Sequence, residues 1–99
     1  MLKVLKVTGD SLSPFFLEGD FVVVSKIPFF LRQPRTGDVV VFEHPSYGTL
    51  IKRVERLSPD GEQVYVIGEH PLSTDSRQFG PLPLRLLQGK VIWHIRKPS

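Results

Sequence analysis

Branched and aromatic apolar residues occur along the chain in short runs, cut apart by glycine, proline, aspartate and serine. That is a strand pattern rather than a helical one. It predicts strands near residues 2–7, 20–26, 38–43, 49–57, 62–68 and 89–96. Gly-Asp pairs recur at Gly9-Asp10, Gly19-Asp20 and Gly37-Asp38, and the last two open the near-duplicate runs GDFVVV and GDVVVF. Glycine supplies the backbone freedom for a turn, and aspartate bonds nearby amides before the strand begins. Ser58-Pro59-Asp60-Gly61 marks a reversal, so 49–57 and 62–68 are expected to form a hairpin. Residues 27–36 read as a proline-bounded loop with an apolar tip. Only 82–88 has room for a helical turn, after Pro81 and Pro83. The expected fold is mainly β: a small antiparallel β-barrel or folded sheet.

Ninety-nine residues suit one domain, 1–99. The net charge is +3, but the basic residues are scattered from Lys3 to Lys97 without a dense block, so no nucleic-acid partner is expected. Cysteine is absent, which excludes disulfides, thiolate metal sites and cysteine nucleophiles. His44, His70 and His94 have no ligand spacing, and neither a metal nor a cofactor is expected. No apolar run approaches the ~20 residues of a membrane-spanning helix. Met1 to Val7 lacks the apolar core of a secretory signal. The expectation is a soluble, cytoplasmic chain.

Two residues suggest chemistry. Ser11 lies in Gly9-Asp10-Ser11-Leu12-Ser13-Pro14, and Lys52 in Ile51-Lys52-Arg53-Val54. Serine is a weak nucleophile until a base takes its proton. Lysine can be that base only when neutral, and burial favours the neutral amine. On a strand, residue i shares a face with i±2. Lys52 therefore stands between Leu50 and Val54 on an apolar face, while Arg53 points the other way with Ile51 and Glu55. The backbone amide of Ser11 is a candidate oxyanion donor. Plainer readings stay open: a turn with a local serine hydrogen bond, and a lysine whose stem crosses apolar surface to reach water.

Taken together, these segments resemble the signal peptidase I family of serine-lysine endopeptidases. Ser11-Leu12-Ser13-Pro14 is similar to the family's Ser-Met-x-Pro box, and Gly19–Val24 and Gly37–Phe42 to the strands that follow it. Lys52-Arg53 stands where the family has its Lys-Arg pair. The string GEHPLSTDSRQFGPLP at 68–83 is similar to the family's final box. The chain departs from the pattern at Leu12, at Glu69-His70 and in the spacing from Gly68 to Ser73. It has Gly9 where some members carry a serine oxyanion donor, with Thr8 as a weak substitute.

The resemblance implies a catalytic core of the signal peptidase type, with Ser11 as nucleophile and Lys52 as general base. It implies that Ser73 orients Lys52, and that Asp75 and Arg77 form a supporting ion pair. Among family members, the chain looks most like the short soluble maturation proteases of nickel-type superoxide dismutase, which remove an N-terminal leader. The implied partner is a precursor protein bound as an extended strand, with Ile27 to Leu31 a candidate contact for a membrane or a substrate. A soluble leader peptidase acting on other substrates is the near alternative. A non-catalytic β-barrel that binds peptide is the alternative from another class. A self-cleavage domain of SOS-type repressors fits less well, because the 73–80 box argues against it.

Overall fold

The computed structural model describes residues 2–7, 18–68 and 74–96, without the side chain of Phe30. Seven strands are present: β1 (Leu2–Lys6), β2 (Phe21–Ser25), β3 (Val39–His44), β4 (Gly48–Leu57), β5 (Gln63–Ile67), β6 (Leu82–Pro83) and β7 (Leu87–Ile95). Two short helices, α1 (Ile27–Leu31) and α2 (Ser76–Phe79), and a 3-10 turn at Leu84–Leu86 complete the regular structure. The strands form one sheet in the order β1-β2-β7-β3-β4-β5-β6, and every pairing is antiparallel. β1 and β6 end the sheet, so it does not close into a barrel; the folded-sheet form is the one found.

The sheet bends because its register shifts at Val23/Val24, Val41/Phe42 and Val54/Arg56. Each such irregularity adds local twist and turns the strand. Folding the sheet creates two apolar clusters that share β3. Val40 and Phe42 join Val54, Val64, Val66, Leu82 and Leu87 in the first. Val41 points the other way and joins Val7, Val22 and Val24 in the second. Val39 to Phe42 are consequently all buried, which is why GDVVVF is continuously apolar instead of alternating.

Both Gly-Asp strand openings use glycine in the left-handed region, with φ of 93° at Gly19 and 95° at Gly37. After Gly37 the aspartate acts as expected: Asp38 Oδ2 accepts from the Arg35 amide at 2.9 Å. Asp38 also draws in Arg32 at 3.2 Å and Lys90 at 3.3 Å, tying α1 to β3 and β7. The β4–β5 hairpin turns at Ser58 to Gly61, with the Gly61 amide donating to the Ser58 carbonyl at 2.9 Å.

The segment read as a proline-bounded loop contains α1 instead. Pro28 lies in its first turn, where a missing amide hydrogen breaks no helical bond. Ser25 Oγ accepts from the Ile27 amide at 3.1 Å. The apolar tip is divided: Phe29 packs against the first cluster, while Ile27 and Leu31 are exposed. α2 is a second correction, since helical structure was expected only within 82–88. The turn expected there is the 3-10 turn at Leu84–Leu86. Among the described residues no helix is long and apolar enough to cross a membrane.

Candidate active site

Lys52 lies in the middle of β4, opposite Val40 of β3. It is 2% exposed, and its same-face neighbour Val54 is 1% exposed, as the period-two reading anticipated. The other face also behaves as expected. Arg53 reaches out to the Gly37 carbonyl at 3.1 Å, and Glu55 is exposed. Burial disfavours the ammonium form and holds the Lys52 pKa below the usual lysine value. The Asp75 carboxylate opposes that shift, and the Arg77 guanidinium adds to it.

The chain builds this charge pair from a tight local motif. Asp75 caps α2: its Oδ1 accepts from the Arg77 amide at 2.9 Å, and Gln78 Oε1 accepts from the Asp75 amide at 2.9 Å. Such reciprocal bonds satisfy amides that a helix start leaves open. Ser76 Oγ accepts from the Val66 amide at 2.9 Å, and Asp75 Oδ2 from the Gly68 amide at 2.9 Å. These two bonds fasten α2 to the end of β5. Since Arg53 pairs with Ile67 in the β4–β5 ladder, continuing the register sets Gly68 across from Lys52. The anchor of Asp75 is thus the strand neighbour of the lysine.

Asp75 is fully buried and its oxygens are occupied. Besides the two backbone amides, Arg77 Nε donates to Oδ1 at 3.0 Å, and an Arg77 terminal nitrogen donates to Oδ2 at 2.7 Å. Burial alone would raise the Asp75 carboxyl, but the bonds from Arg77 and Gly68 outweigh it and hold it below the usual carboxylate range. A carboxylate engaged in this way is a poor proton acceptor. It sits near Lys52 and favours the ammonium form, but burial outweighs that pull and the Arg77 charge opposes it further. The outer side of α2 is held by aromatic contacts, with Phe79 4.7 Å from His44 and 6.2 Å from Phe42 between ring centroids.

Of the candidate residues, the structure brings together Lys52, Asp75 and Arg77. Ser11, with its candidate oxyanion amide and the nearby Thr8 and Gly9, lies outside the described residues, as does Ser73. Among the described residues no cluster of acidic and histidine side chains could hold a metal ion. A part-buried polar pair escaped the sequence reading: Asp20 and His94, whose side chains meet at 2.7 Å across 74 positions of chain.

The family model for signal peptidase, peptidase S26, matches residues 1–62, more than half of the chain. The chain belongs to the signal peptidase family. Signal peptidase I of Buchnera aphidicola is 33% identical over 69 residues, covering 56% of this chain and 22% of that protein. Signal peptidase I V of Bacillus subtilis is 35% identical over 69 residues, covering 65% and 41%. The chloroplastic thylakoidal processing peptidase 1 of Arabidopsis thaliana is 25% identical over 141 residues, covering 94% and 42%. The chain thus spans roughly a fifth to two-fifths of the length of the curated signal peptidase relatives it matches. Both Ser11 and Lys52 fall inside the family match, whereas Asp75 and Arg77 lie beyond it.

Proposed function

We propose that this chain is a serine endopeptidase that removes an N-terminal leader from a precursor protein, with Ser11 as nucleophile and Lys52 as general base. The observation that carries the reading is Lys52: an amine buried on an apolar strand face, with its pKa lowered and its nearest charges compensated. A lysine serving only as a surface charge gains nothing from that placement. Family membership supports the reading, because the relatives are named as signal peptidases and a processing peptidase.

In the proposed reaction the precursor lies extended as an added strand. Ser11 Oγ attacks the scissile carbonyl carbon while Lys52 Nζ takes the hydroxyl proton. A backbone amide at Ser11 receives the developing oxyanion charge. Lys52 then passes the proton to the leaving amine, and the peptide C–N bond breaks to leave an acyl ester on Ser11. Water repeats the sequence: Lys52 takes its proton, the hydroxide oxygen bonds to the acyl carbon, and Ser11 leaves with the proton returned. Ser73 orients the Lys52 amine. Asp75 and Arg77 keep the strand end and α2 in place and set the charge around the base.

The precursor we assign is nickel-type superoxide dismutase with its leader, processed in the cytoplasm. Cleavage of that precursor and of a secretory precursor is compared for wild type, Ser11→Ala and Lys52→Ala. Wild type is expected to cleave the dismutase precursor faster, and each variant to lose at least about 1,000-fold in kcat while keeping its fold. Preference for the secretory precursor would overturn the dismutase assignment alone. Equal cleavage by all three proteins would overturn the Ser–Lys reading.

A further inference from the structure

Buried Asp20 and half-buried His94 form a pair with no part in the proton transfers above. Their side chains are 3% and 19% exposed, and His94 Nε2 lies 2.7 Å from Asp20 Oδ2. Their location gives the pair its interest. The Val7 amide donates to the Asp20 carbonyl at 2.7 Å, and the Gly19 amide donates to the Val7 carbonyl at 2.9 Å. These bonds extend the β1–β2 ladder one step past its Lys6–Phe21 pair. Residues 8–17, which include Ser11, lie outside the described residues, and this neck joins the two described ends, Val7 and Glu18, between which they run in sequence.

Behind this neck stands β7, where His94 is in register with Val22. The Asp20 side chain thus links the neck to the next strand, while its own carbonyl holds Val7. Val7 is 6% exposed and belongs to the second apolar cluster, which seats the neck from below. Gly19 has a positive φ of 93°, so the chain reverses here only with that peptide held in one orientation. A buried carboxylate is stable in such a place only when it is partnered, and the imidazole is one such partner of Asp20.

We propose that the Asp20–His94 pair is a positioning element: it fixes the neck of the segment that carries Ser11 and so sets the fraction of molecules in which the nucleophile is correctly placed. This rests on the reading of Ser11 as nucleophile. A positioning residue of this kind acts on kcat, because substrate contacts elsewhere on the sheet are untouched and KM is retained. The loss equals the fall in the competent fraction.

The test uses the whole chain and the precursor that wild type cleaves. His94→Phe removes the bond, His94→Gln keeps an N–H close to the Nε2 position, and Val64→Ala is a core control in the first cluster. Amide hydrogen exchange at Val7 and Gly19 gives a readout independent of peptidase activity. His94→Phe is expected to lower kcat about tenfold or more at unchanged KM, and to speed exchange of those two amides about tenfold relative to Val54. His94→Gln is expected to recover kcat to within about threefold of wild type, and Val64→Ala to hold kcat within about twofold despite its lower stability.

Unchanged exchange at Val7 and Gly19 in His94→Phe would overturn the proposal, as would a kcat loss that Val64→Ala reproduces. Should His94→Phe fail to fold, Asp20→Asn takes its place, and the same two readouts must move in the same direction. If Ser11→Ala cleaves like wild type, the nucleophile reading falls while amide exchange still decides whether the pair holds the neck. If Ser11→Ala is inactive and His94→Phe keeps wild-type kcat, the positioning role alone is wrong.

Discussion

Replacing Lys52 with methionine should make the protein more stable and abolish its activity. Lys52 is 2% exposed in the folded chain, and burial holds its pKa below the usual value of 10.5. In the window between that lowered value and 10.5, the unfolded chain binds a proton that the folded chain does not. Stability rises with pH wherever the unfolded state holds more protons. Wild type therefore gains about 1.4 kcal/mol for each pH unit climbed through the window, and below the window it bears the full penalty. Methionine has similar length and volume and no charge, so repacking costs less than about 1.5 kcal/mol.

The Lys52→Met variant should then be the more stable protein at neutral pH, with its advantage shrinking through the window and levelling off above it. Each 1 kcal/mol corresponds to roughly 4–8 °C in Tm for a domain of this size. Urea unfolding of both proteins across a pH series measures the difference directly, provided the m-values agree. A wild type that equals or exceeds the variant in stability at neutral pH would refute the reasoning. So would a difference that does not change with pH.

The remaining predictions concern the frame around the lysine. Arg77→Gln leaves the Asp75 carboxylate uncompensated, so the Lys52 pKa rises and the limb of kcat/KM against pH that reports the base moves to higher pH. Denaturant unfolding should also show a loss of stability, because the Arg77 side chain donates two bonds to the fully buried Asp75 carboxylate. Gly89→Ala sets a Cβ 2.6 Å from Val24 Cγ1 and 2.9 Å from the Ser25 carbonyl oxygen, so calorimetry should show a loss of about 1–3 kcal/mol.

Much of this fold was legible because its strands obey simple periods and its turns use chemically specific residues. The expected strands at 20–26, 38–43 and 49–57 correspond to β2, β3 and β4 within a residue or two, and the Ser58 to Gly61 reversal lies where expected. Alternation along β4 put Lys52 on an apolar face, but it left open a lysine reaching water, and the burial of the amine was decided by the structure. The helices were less legible. Residues 27–36 were read as a proline-bounded loop, although a proline in the first turn breaks no helical bond. α2 has only four residues, too few for any period, and is defined by the Asp75 cap.

The Asp20–His94 pair had no sequence signal at all, since its partners are 74 positions apart and meet only through the β2–β7 pairing. The two Gly-Asp openings looked alike in sequence, and both aspartates reach β7, but Asp38 meets Lys90 there and Asp20 meets His94. Which behaviour an aspartate adopts depended on what the sheet brought beside it. Strand order and register shifts are likewise products of the whole sheet.

The central claim is that burial prepares Lys52 as a base. It is tested most directly by following the Lys52 ε-carbon resonance through a pH titration, with Lys52→Met assigning the signal. The account predicts that Lys52 titrates below the usual lysine value of 10.5. Titration of Lys52 at 10.5 or above would contradict it.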